Sequence, residues 1–149
     1  MKRILNLIIG LLVLPASCSN KQYSDDFHKA KLELMEAESA AWLEGRSNTI
    51  YWDNMESRSA ESEEIHEKNY QANKNVIQAM DKIRNPPKAY AQAQSKLFEA
   101  YGVYLNLYSL VQRNRYGKKE DYEANIQEEN RKWDSLWAQV SALDPTPRH

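Results

Sequence analysis

Tyr90, Leu97, Tyr101, Tyr104, Tyr108 and Val111 fall on one seam with alternating steps of four and three, once Gln94 fills the missing position. Tyr122, Ile126, Trp133, Leu136, Val140 and Leu143 repeat that rhythm, with Glu129 as its single polar interruption. A repeat of this period lines one side of a helix with apolar surface, as in coiled coils and bundles. Beyond residue 17 no alternating apolar and polar run is long enough for a strand, so the pattern predicts an all-α fold.

Breaks in the pattern predict four helices. The first is expected from about Ser24 to Glu44, with Ser24 as N-cap, Asp25 and Asp26 in the first turn, and Gly45 closing it in the left-handed conformation. The second, a long one, is expected from Asn48 or Thr49 to Arg84. Asn85-Pro86-Pro87 then breaks the chain and starts a third helix that ends near Arg115 and Gly117. The fourth is expected from Lys118 to Leu143, stopped by Pro145 and Pro147. Short connections make consecutive helices antiparallel neighbours, so the expected architecture is an antiparallel up-down four-helix bundle with a long second helix.

The second helix has a polar middle. Its ends carry Tyr51, Trp52 and Met55, then Val76, Ile77, Met80 and Ile83, but between them the seam reads Ser59, Ser62, His66, Asn69 and Asn73. One account is a solvated stretch that needs no core. The other, preferred, account comes from register: folding back at Asn85-Pro86 places residues whose numbers sum to about 171 side by side. Ser62 then faces Tyr108, His66 faces Tyr104, and Asn69 faces Tyr101. The ladder supplies each buried tyrosine hydroxyl with the partner it needs.

Net charge is −1 for the whole chain and about −3 without residues 1–17, which carry Lys2 and Arg3. Such a balance lacks the basic face of a nucleic-acid binder, so none is expected. Cys18 is the single cysteine, and no disulfide framework is possible. It follows a basic start (Lys2, Arg3), an apolar stretch from Ile4 to Leu14, and the small residues Ala16 and Ser17. The apolar stretch is shorter than the ~20 residues a spanning helix needs, and the layout is that of a secretory signal.

The junction Pro15-Ala16-Ser17-Cys18 resembles the lipobox of bacterial lipoproteins, although Leu14 stands one step further from the cysteine than the usual leucine. The resemblance implies cleavage before Cys18 by a type II signal peptidase and acylation, including palmitate, at Cys18. It divides the chain into a signal peptide (1–17), a lipidated cysteine with a short tether (18–23), a helical bundle domain (24–144) and a C-terminal tail (145–149). Ser19, rather than Asp, after the cysteine implies the outer membrane, facing the periplasm, in a Gram-negative host.

Catalytic signals are weak. There is no Gly-x-Ser-x-Gly elbow and no glycine-rich phosphate loop, and the cysteine is committed to lipid. Glu63-x-x-His66 and Asp25-x-x-His28 have the spacing of di-metal carboxylate motifs, but Asp25 and His28 lie near an expected helix end. No catalytic, cofactor or metal residue is therefore expected. The expected function is a non-enzymatic binding or scaffolding module, held at a membrane through Cys18 and engaging an envelope protein. Two alternatives stand beside it. One is a bundle binding a ligand or metal around His66 and the Tyr101, Tyr104 and Tyr108 stripe. The other is an immunity or inhibitor lipoprotein directed against a toxin or enzyme.

Overall fold

The computed structural model describes residues 16–52, 60–113 and 118–145. The leader up to Pro15, Ser59 and most of the C-terminal tail fall outside the described residues. Four α-helices follow one another: α1 (Ala16–Ile50), α2 (Ala60–Lys82), α3 (Ala91–Arg113), introduced by a 3₁₀ turn at Lys88–Tyr90, and α4 (Lys119–Leu143). No strand occurs among the described residues. No helix among them is long and apolar enough to cross a membrane.

Side-chain contacts fix the directions. The Tyr23 hydroxyl at the start of α1 donates to the Ile83 carbonyl beyond the end of α2, 3.0 Å away, while Glu44 near the end of α1 meets His66 and Asn69 near the start of α2. Phe27 packs on Tyr90 with ring centres 5.2 Å apart, and the Asn48 amide reaches the Val111 carbonyl, so α3 runs parallel to α1. Lys31 pairs with Asp144 at one end of α4, and Asn48 meets Tyr122 at the other. The result is an up-down-up-down bundle. Its closest backbone pairings are α1 with α2 and α3 with α4, joined through α1 against α3.

The core of α1 explains its length. Tyr23, Phe27, Ala30, Leu34, Ala37 and Ala41 are buried at alternating steps of four and three. The alanines let neighbouring helices approach, and each large buried side chain contributes roughly 1.5–3 kcal/mol of apolar burial. Nothing between Ala16 and Tyr23 breaks a helix, and Tyr23 already belongs to the buried seam, so the helix starts ahead of Ser24. Residues 18–23, expected as a tether, are helical in backbone.

Gly45 does not end α1 either. A β-carbon there would lie 2.7 Å from Ile126 Cδ1 and 3.4 Å from Val111 Cγ2, so this glycine serves close helix packing inside an unbroken helix. Residues 49 and 50, expected to open the second helix, therefore belong to the first. Among the described residues the longest helix is α1, at 35 residues, and not α2, at 23.

The last two helices match expectation more closely. Leu97, Tyr104, Trp133 and Val140 are buried, whereas Tyr101, Tyr108 and Leu136 are half-buried and Leu143 is exposed. Ala93, Ala100 and Leu107 share the α3 core, which turns Tyr101 and Tyr108 toward its edge. Pro87 is extended (φ −58°, ψ 153°), so α3 begins after the prolines, through the 3₁₀ turn, and not at Pro86.

Candidate functional site: a buried carboxylate at the far end of α1

Two further seam steps beyond Ala41 bring Glu44 and then Asn48 into the core, and both are buried. The Glu44 carboxylate gathers side chains from two other helices. Asn69 Nδ2 donates to Oε2 at 2.6 Å, His66 Nδ1 lies 2.7 Å from Oε1, and Gln112 Nε2 donates to Oε2 at 3.4 Å. With the carboxylate ionised, the imidazole hydrogen resides on Nδ1, because a carboxylate only accepts. Asn69 is completely buried, and its Oδ1 has no hydrogen-bond partner among the described residues. The His66 side chain is 39% exposed, so the network opens to solvent at the imidazole.

A second polar set lies one turn on. Asn48 Nδ2 donates to the Val111 carbonyl at 3.3 Å and to the Tyr122 hydroxyl at 3.4 Å, and that hydroxyl donates to the Gly45 carbonyl at 3.5 Å. Burial is the main reason that the Tyr122 phenol is pushed up to about 12; the Asn48 hydrogen bond opposes the shift and the Glu44 charge adds to it. Tyr108 is also raised, first by burial, then by Glu44 and Tyr70. These groups sit near the end of α1 remote from Cys18, about 40 Å away at the helical rise.

The expected ladder between α2 and α3 has different partners. Tyr104 does have a polar contact, but its hydroxyl donates to the half-buried Asn73 Oδ1 at 2.9 Å, nearly two helical turns further along α2 than His66. His66 and Asn69 turn to Glu44 on α1 instead of Tyr104 and Tyr101. The register moved because the 3₁₀ turn lengthens the connection before α3, whose Gln94 reaches back to the Ile83 carbonyl. Tyr101 and Tyr108 flank Tyr104 with ring centres 6.1 and 6.0 Å away. Burial raises Tyr101 above the usual phenol range, opposed by Arg84, and raises Tyr104 further, helped by Tyr108 and Tyr101. Ser62 is half-buried in the first turn of α2.

The metal-like spacings do not converge. Glu63, Asp25 and His28 are all exposed, while His66 uses Glu44 as its carboxylate. Among the described residues no three His, Cys, Asp or Glu side chains are grouped to hold a metal ion. A groove of about 400 Å³ lies on the α4 side of α1, over Gly45 and Ile126 and beside Trp42, Arg46 and Glu123; its lining includes neither His66 nor the tyrosine stripe.

Two further carboxylates are buried: Glu38, which sequence reasoning missed, and Glu129, the polar interruption of the fourth-helix seam. Glu38 on α1 faces Asp134 on α4, and its carboxyl is pushed up to about 7, first by burial and then by that like charge. Glu129 on α4 takes a 2.7 Å contact from Lys132 on Oε1, whereas its buried Oε2 has no hydrogen-bond partner among the described residues. The signal for Glu44 was available: the step pattern that starts at Tyr23 reaches it directly. No protein-family model matches the chain, and neither a curated protein nor a solved structure matches it significantly.

Proposed function

We propose that the chain is a small cell-envelope lipoprotein, anchored through lipid on Cys18, whose helical bundle is a non-enzymatic binding or scaffolding module. The observation that carries this reading is the position of the single cysteine, directly behind a basic and then apolar leader. An unpaired thiol is a liability in an oxidising compartment, and acylation removes it. Two or more acyl chains supply a stable anchor where one does not. In a Gram-negative host the place is the outer membrane, facing the periplasm, and the partner is another envelope protein.

The bundle's polar residues support a structural rather than catalytic use. Glu44 is hydrogen-bonded to His66, Asn69 and Gln112 across three helices, and buried polar contacts of this kind fix which helices pair and in what register. Radiolabelled palmitate should enter the wild-type chain and fail to enter Cys18→Ser. Equal labelling of both would reject the anchor. The rival ligand-binding reading rests on the partly exposed His66 above Glu44; metal analysis and native mass of the purified chain would reveal a resident group.

A further inference from the structure

The outer face of α1, opposite its core seam, carries an uncommon stripe. Leu32, Leu43 and Ile50 lie along it and are 52, 47 and 70% exposed. Glu36, Ser39 and Arg46 fill the intervening helical steps and are also exposed. Positions 32, 36, 39, 43, 46 and 50 again alternate by four and three, so all six side chains share one face about 27 Å long. The Arg46 guanidinium rests 4.8 Å from the centre of the Trp42 ring. Neither Arg46 nor Glu36 has an ion-pair partner among the described residues.

The order of residues along the stripe is self-complementary when reversed. Setting Leu32 opposite Ile50 of a second copy places Glu36 opposite Arg46 and Ser39 opposite Leu43, and a twofold axis repeats each pairing. A parallel arrangement instead places Glu36 against Glu36 and Arg46 against Arg46. Charged positions flanking an apolar helix seam select orientation in this way. We propose that α1 pairs antiparallel with α1 of a second copy of this chain, forming an isologous dimer through Leu32, Glu36, Ser39, Leu43, Arg46 and Ile50. A single helix face is smaller than the ~800 Å² per partner of a standard interface, so the dimer is weak and concentration-dependent. In a chain anchored at Cys18, antiparallel pairing puts the two anchors at opposite ends of the dimer and so holds both bundles along the membrane.

The test is sedimentation velocity of the full chain in mild detergent, from about 1 to 100 μM, a range that brackets a micromolar dissociation constant. The wild type should pass from monomer to dimer across that range. Glu36→Arg and Arg46→Glu should each weaken the dimer by about ten-fold or more, and the double variant, which restores opposite charges, should return to within about three-fold of wild type. Leu43→Lys should remain monomeric. All three substituted positions are exposed, and an unchanged circular dichroism spectrum verifies the fold of each variant. A wild type that stays monomeric throughout overturns the proposal. If that monomer binds phospholipid vesicles and Leu43→Lys does not, the stripe is a lipid contact. A dimer insensitive to the single charge reversals, or unrescued by the double, overturns the antiparallel pairing.

Discussion

Glu44 Oε2 accepts a 2.6 Å hydrogen bond from Asn69 Nδ2, joining the end of α1 to the start of α2 between two side chains that are both buried. Helices α1 and α2 could slide along their apolar seams at modest cost, but sliding by one turn would strand this carboxylate and amide in the core. The pair therefore specifies register as much as it stabilises. Glu44→Leu and Asn69→Leu should each cost roughly 2–3 kcal/mol, because each leaves a buried polar group unmatched, and the double variant should cost less than their sum. Urea unfolding of the chain lacking residues 1–17 measures this. Additive losses would mean that the two groups stabilise independently.

The tyrosine contacts give a contrasting expectation. Tyr104→Phe and Asn73→Ala should be coupled by about 0.5–1.5 kcal/mol, as direct hydrogen-bond partners are. Tyr104→Phe and His66→Ala should be additive, because His66 addresses Glu44 on another helix. Coupling in the second cycle and none in the first would restore the register that the sequence suggested.

That reversal shows what was legible in the chain. Heptad steps located α3 and α4 to within a few residues, because Tyr104, Leu97, Trp133 and Val140 are large enough to announce a core without help from their partners. The same rhythm ran through α1 as Tyr23, Phe27, Ala30, Leu34, Ala37 and Ala41, where small alanines made it faint and Gly45 read as a stop. Glu44 and Asn48 followed from that seam, yet a carboxylate at a core position is improbable until its partners are known. Those partners depend on how α2 sits against α1, while the 3₁₀ turn after Pro87 separately moved the α2–α3 register by nearly two turns. Tertiary packing, invisible to local propensity, decided both points.

Glu38 gives a pH dependence. Its carboxyl is pushed up from 4.5 to about 7 in the folded chain, mainly by burial and secondarily by Asp134. Between those values the folded state holds a proton that the unfolded state has released. Folding then takes up a proton, and stability falls as pH rises through this window. Glu38→Gln should remove that part of the slope. After allowance for solvent screening, the variant should be ~1–2 kcal/mol more stable than wild type at pH 8, with the gain vanishing toward pH 4. Urea midpoints at several pH values test this; parallel profiles for the two proteins would contradict it.

Gly102 offers a test of backbone entropy alone. It lies exposed inside α3, and a β-carbon there would meet nothing within 4 Å. Gly102→Ala should stabilise by about 0.5–1 kcal/mol through helix propensity. Thermal unfolding should show a higher midpoint, and a lower one would mean that a contact formed at this surface needs the glycine.

Acylation of Cys18 is the step on which the proposed anchor depends. It is tested most directly by mass spectrometry of the N-terminal tryptic peptide of the membrane-extracted protein. The expected peptide begins at Cys18, ends at Lys21 and carries the added mass of acyl chains. An unmodified peptide starting at Cys18, or any peptide in which Cys18 is internal, would contradict it.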